Sequence, residues 1–152
     1  MADQKQPQTS SQRLVATSLV DAFNRMDIDE IMSVRAEGCM RHILPASLNQ
    51  TPQNNSQYRS TLEKLNPIFS NFNLTIHDIL EDREARRISM YVKARANTLA
   101  GEYLNEYQWT MTFDEKGEKI VNWVEFVDGS VYWGFWPKLQ EAMRIQRENK
   151  VS

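Results

Sequence analysis

Arg41 and His42 stand side by side in the stretch CMRHILP, and His42 is one of only 2 histidines in the chain. Imidazole exchanges protons near neutral pH, whereas a guanidinium stays charged and holds carboxylate or enolate oxygens. A second group of reactive types ends the segment VNWVEFVD, where Glu125 and Asp128 could take or return a proton. Asp128 leads the acid/base candidates, because burial among aromatic side chains raises a carboxyl pKa toward the working range. Asn105 and Asn122 could orient a substrate oxygen, and Tyr58 could donate a hydrogen bond to one. Tyr107, Trp109 and Phe126 would supply an aromatic wall around a ring system. Each also has a structural reading: a strand-ending aspartate before Gly129, asparagines satisfying backbone groups, a packed helix tyrosine, a histidine at a strand edge.

Period-two patterns must position these groups. In GEYLNEYQWTMTF, Tyr103, Asn105, Tyr107, Trp109, Met111 and Phe113 share one face of a strand. On the next strand Ile120, Asn122, Val124, Phe126 and Asp128 share a face opposite Trp123 and Glu125. Asn105, Asn122 and Asp128 are therefore expected on the aromatic, inward side. Glu106 and Glu125 need a bulge or a different facing to join them. Neighbours on a strand point opposite ways, so only one of Arg41 and His42 is expected to face inward.

Helix signals begin at Ser10 or Ser11, and Asp29 is placed to cap a second, short helix. Cys39–Leu44 reads as an extended segment stopped by Pro45, followed by a turn-rich loop over residues 46–56. A third helix carries Tyr58, Leu62, Leu65 and Phe69 on one face, with Pro67 disturbing its last turn. Alternating strands run from Leu74 onward, and a terminal helix is expected from Pro137. This order predicts an α+β domain, with three N-terminal helices packed on a strongly curved, mostly antiparallel sheet and a cone-shaped space between the layers.

With 152 residues the chain suits one domain, expected over residues 12–148 after a disordered leader at 1–11. The balance of 18 basic and 20 acidic side chains offers no basic stripe for a phosphate backbone, so no nucleic-acid partner is expected. A single cysteine, Cys39, allows no intrachain disulfide and suits a reducing compartment. No apolar run reaches the ~20 residues of a membrane span, and a cytoplasmic location without membrane contact is the expectation. The distant histidines give no metal-ligand spacing, and no phosphate loop or dinucleotide fingerprint occurs, so neither metal nor cofactor is expected.

The segments AFNRMDID, CMRHILPASL, PQNNSQYRSTLEKLNPIFSNFNLTIHD and NEYQWTMTFDEKGEKIVNWVEFVD together resemble the SnoaL-like branch of the cone-shaped fold of nuclear transport factor 2 (NTF2-like) and the ketosteroid isomerases. The resemblance runs over roughly residues 13–145 and is nearest to small fungal enzymes of meroterpenoid and polyketide biosynthesis. It implies an isomerase or cyclase that rearranges a polycyclic intermediate by acid/base proton transfer without a cofactor. Dehydration or epoxide opening on the same fold is the second reading, and a small-molecule-binding or adaptor protein the third. By the same resemblance Asp128 matches a recurrent acid/base position, while Arg41, His42, Tyr58, Asn105, Glu106 and Glu125 match pocket positions. A homodimer through the outer sheet face, which would expose Tyr91 and Trp123, is also expected.

Overall fold

Side-chain caps set where the helices begin. The computed structural model describes residues 8–151, so residues 1–7 of the expected leader lie outside it. Ser10 caps α1 (Ser11–Asn24) by accepting from the Arg13 N–H at 3.1 Å. Asp27, rather than Asp29, caps α2 (Ile28–Ser33), accepting from the Glu30 N–H at 3.1 Å. α3 (Asn55–Leu65) opens on a capping box between Asn54 and Gln57 and ends two positions before Pro67, which cannot donate into a further turn.

β1 (Arg35–Leu44) follows α2 and is joined to α3 through a 3-10 turn at Ala46–Leu48. After α3 come β2 (Ser70–Asp82), β3 (Arg87–Thr98), β4 (Gly101–Phe113) and β5 (Ile120–Val127), then α4 (Gly129–Val151). The strands lie in the order β1-β5-β4-β3-β2. The α+β composition stands, but the expected lead-in of three helices to a strongly curved sheet is corrected. Only two helices precede the first strand, because the extended segment through Arg41 is itself a full edge strand ahead of α3. β1 pairs parallel with β5, which makes the sheet mixed, and the sheet is not strongly curved.

One irregularity decides which side chains face inward. Phe113 pairs with Ile120 while Thr112 pairs with Asn122, so Val121 is an extra residue on β5. A bulge of this kind reverses the side-chain alternation beyond it. Ile120 is buried before it; after it Trp123, Glu125 and Val127 are buried and Phe126 is 53% exposed. The inward parity expected for Asn122, Phe126 and Asp128 is therefore corrected, and so is the exposure expected of Trp123.

The core fills the space between the inner sheet face and the helices. Leu19, Ala22 and Phe23 of α1 meet Met90, Val92, Trp109, Met111 and Trp123 of the strands. Burying a side chain of this size stabilises the fold by about 1.5–3 kcal/mol. α4 starts at Gly129 rather than Pro137, because Asp128 supplies the cap: its Oδ1 accepts from the Ser130 N–H at 2.9 Å and the Ser130 hydroxyl at 2.7 Å. Its first turns bring Tyr132, Trp133 and Trp136 over one end of the inner face. No helix among the described residues is long and apolar enough to cross a membrane.

Candidate active site

Between the inner sheet face, α3 and the start of α4 lies a cavity of about 530 Å³. Phe23 and Trp109 line its floor, with centroids 5.5 Å apart, and the buried Trp123 packs behind Trp109 at 4.9 Å. Leu62, Leu65 and Phe69 form the α3 side, and Trp133 and Trp136 the α4 side. A volume and lining of this kind suit a ring system rather than a small polar metabolite.

The polar groups gather on β1, β4 and β5. Arg41 and Glu125 form a two-pronged ion pair, Nε to Oε1 at 3.1 Å and Nη2 to Oε2 at 2.8 Å. Arg41 Nη1 donates to Gln53 Oε1 at 2.9 Å, and Gln53 Nε2 donates to Thr61 Oγ1 at 2.8 Å. Backbone bonds between Arg41 and Gln53, at 2.9 and 3.0 Å, fix the loop against β1. The guanidinium also lies 4.6 Å from the centroid of the Tyr58 ring. Burial pulls the Arg41 pKa down, but the Glu125 charge and its hydrogen bonds outweigh that and raise it, so Arg41 stays a cation. Each Glu125 oxygen keeps a lone pair beyond its bond to Arg41.

On β4, the strand next to Glu125, the Tyr103 and Tyr107 hydroxyls are 2.6 Å apart. Asn105 Nδ2 donates to Tyr103 Oη at 2.7 Å, and Asn105 Oδ1 accepts from the Glu106 N–H at 2.8 Å. Burial pushes the pKa of Tyr58, Tyr103 and Tyr107 above the ordinary phenol value, so all three keep their protons at neutral pH. At the mouth, Gln50 Nε2 donates to the Tyr132 hydroxyl at 2.5 Å, tying the β1–α3 loop to α4.

No family model matches the chain. Austinoid biosynthesis clusters protein F of Emericella nidulans is 30% identical over 125 residues, which cover 79% of this chain and 71% of that protein. The chain belongs to the SnoaL-like family of small fungal meroterpenoid and polyketide biosynthesis proteins. Among its relatives, monooxygenase ptaG of Pestalotiopsis fici is 28% identical over 135 residues, 88% of this chain and 94% of that one. Among solved SnoaL-like structures, the BvnE pinacolase of Penicillium brevicompactum superposes with a TM-score of 0.81 at 28% identity, covering 84% of this chain and 90% of that one.

This SnoaL-like cavity brings together Arg41, Tyr58, Asn105, Tyr107, Trp109 and Glu125. The other expected site residues lie elsewhere. His42 pairs with Val124, on the parity opposite to Arg41, and so faces the outer side of the sheet. Glu106 is on the outer face of β4, bound by the Tyr91 hydroxyl at 2.6 Å. Asn122 and Phe126 follow it outward because of the Val121 bulge, and Asp128 is exposed and occupied in capping α4. Sequence reasoning left out Tyr103 as a chemical group, although its parity with Asn105 and Tyr107 was visible. It also left out Gln53 and Thr61, which no local pattern marks, because a loop and a helix turn bring them to Arg41. Among the described residues no group of three or more His, Cys, Asp or Glu side chains is placed to hold a metal ion.

Proposed function

We propose that this chain is a cofactor-free isomerase or cyclase that rearranges a polycyclic meroterpenoid or related secondary-metabolite intermediate by moving a proton inside the cavity. The observation that carries this reading is a carboxylate, Glu125, sunk in an aromatic cavity with its geometry locked by Arg41 and a phenol pair on the neighbouring strand. The similarity to a pinacolase supports rearrangement chemistry on this scaffold.

In this reading Glu125 takes a proton from a carbon beside a carbonyl, and the C–H electrons pass to the carbonyl oxygen. The phenol pair or Tyr58 donates a hydrogen bond to the enolate oxygen, and Arg41 holds Glu125 at its approach. For isomerisation the proton returns to a different carbon. For cyclisation the enolate carbon attacks a carbonyl carbon of the same molecule, the C=O π electrons move onto that carbonyl's oxygen, and this oxygen takes the proton back from Glu125. Mass is conserved in both. Trp109, Phe69 and Trp136 position the hydrocarbon rings, the reacting C–H faces Glu125 on β5, and the substrate's oxygen faces the phenols of β4.

The protein acts in the cytoplasm, which its one free, buried cysteine suits. It pairs with a second copy through the outer sheet face, where Leu104 and Phe126 are 55% and 53% exposed. Light scattering on Phe126→Asp should report a monomer where the parent reports a dimer.

The test of the reaction uses the metabolite that accumulates in a strain lacking this gene. Purified protein should convert it to a product of unchanged mass. A product lighter by water or heavier by oxygen would overturn the isomerase reading in favour of dehydration or oxygenation.

A further inference from the structure

The polar groups facing the cavity are ordered by one amide whose orientation is not free. Asn105 is 5% exposed, and its Oδ1 accepts the backbone N–H of Glu106 at 2.8 Å. An N–H can only be accepted by oxygen, so the atom turned toward the phenols is the nitrogen, which can only donate. It does so to Tyr103 Oη at 2.7 Å. The two phenols share one hydrogen bond at 2.6 Å, which uses one of their two hydrogens. The same nitrogen also donates to Tyr107 Oη at 3.5 Å. Asn105 offers the phenols no acceptor, and among the described residues neither hydroxyl has a partner beyond Asn105 and the other phenol. One phenolic hydrogen is left, and both rings line the cavity.

We propose that Asn105 is a positioning residue that sets the hydrogen-bond polarity of the Tyr103–Tyr107 pair, so that one phenolic hydrogen is reserved for an oxygen of the substrate. The inference rests on the proton-transfer reading of the cavity and names the device that stabilises its developing oxyanion. If the bond between the rings runs from Tyr103 to Tyr107, Tyr107 presents the hydrogen; if it runs the other way, Tyr103 does. In either arrangement the pair keeps one donor and costs no reorganisation when charge develops on the oxygen. Burial holds both phenols protonated, so the donor persists at neutral pH.

Asn105→Asp tests the polarity with almost no change of shape. Its second oxygen accepts where the amide donated and consumes the spare hydrogen. With the metabolite accumulated by a gene-deletion strain as substrate, turnover should fall by about 10²-fold at neutral pH. It should recover as pH falls, when the introduced carboxyl is protonated and donates again. The parent protein should show no such recovery, and matching pH profiles would overturn the proposal. A readout without substrate uses tyrosine labelled with ¹³C at Cζ. In Asn105→Asp the Tyr103 and Tyr107 resonances should step together with pH, and in the parent they should stay level through the same range. Absence of the step in the variant would overturn the assigned polarity whatever the turnover. A clear step combined with no mass-conserving conversion by the parent would leave the polarity standing and remove the proton-transfer reading. Should Asn105→Asp fail to fold, Asn105→Leu removes the donor at similar volume: kcat should fall with KM held, and an unchanged kcat would overturn the role.

Discussion

On the outer face of the sheet Glu106 accepts from the Tyr91 hydroxyl at 2.6 Å and pairs with Lys93 Nζ at 3.4 Å. On the inner face Glu125 pairs with Arg41 at 2.8 Å, and the neighbouring strand carries the hydroxyls of Tyr103 and Tyr107. A carboxylate, a cation and a phenol occur in both places, and the difference between them is water. The Glu106 and Lys93 side chains are 50% and 47% exposed, whereas that of Glu125 is 5% exposed. Hydrogen bonds from Tyr91 and Lys93 hold the Glu106 carboxyl below its ordinary range, but solvent screens what that group could do to a ligand. Inside, the same groups face an apolar wall that magnifies each hydrogen bond and penalises any left unmade. Residue type named the candidates on both faces; side of the sheet separates them.

The largest expected effect lies on the inner face. Glu125→Gln should slow turnover by about 10³-fold if the carboxylate is the base. It should also lower unfolding stability by about 3–5 kcal/mol in denaturant titration, because Arg41 is left buried without its counter-charge. Full turnover in this variant would erase the contrast between the faces. Next, Tyr107→Phe should lower kcat by about 10²-fold with the fold retained, through loss of the phenol pair's donor.

A third effect concerns pH. The folded-state pKa values of Tyr58, Tyr103 and Tyr107 lie above the ordinary 10.0, so the native state binds more protons than the unfolded chain above that pH. The contribution of these groups to stability is complete below pH 10 and is lost as pH rises through the folded values. Each group removed should flatten the alkaline decline by up to about 1.4 kcal/mol per pH unit. Equal slopes for the parent and Tyr107→Phe in alkaline unfolding would show that the phenol is solvated. On the outside, Asp128→Ala should cost about 1 kcal/mol through loss of the α4 cap and leave turnover within about 2-fold. Glu106→Gln should change neither turnover nor melting temperature measurably, and a marked loss of turnover would bring the outer face into the site.

Much of the inner face was legible because β4 is regular. The alternation from Tyr103 to Phe113 matches the observed burial at Tyr103, Asn105, Trp109, Met111 and Phe113. β5 misled because both of its faces carry apolar residues, so the pattern contains no mark of the bulge at Val121. That one extra residue brings Glu125 in and sends Asp128 out. The edge strand was visible as an extended segment, but its parallel pairing with β5 depends on a partner some 80 residues away, which local propensity does not encode. The start of α4 was missed for a similar reason: Asp128 and Ser130 form a cap, and the aromatic residues ahead of the expected start at Pro137 are the helix's cavity-facing turns.

In the proposed reaction Glu125, rather than Asp128, moves the proton in a rearrangement that conserves mass. The direct measurement is conversion of the metabolite accumulated in a gene-deletion strain, followed by mass spectrometry with purified parent, Glu125→Gln and Asp128→Asn proteins. A product of unchanged mass is expected from the parent and from Asp128→Asn, and almost none from Glu125→Gln. A product that has lost water or gained oxygen would overturn the rearrangement, and full conversion by Glu125→Gln with none by Asp128→Asn would move the base to Asp128.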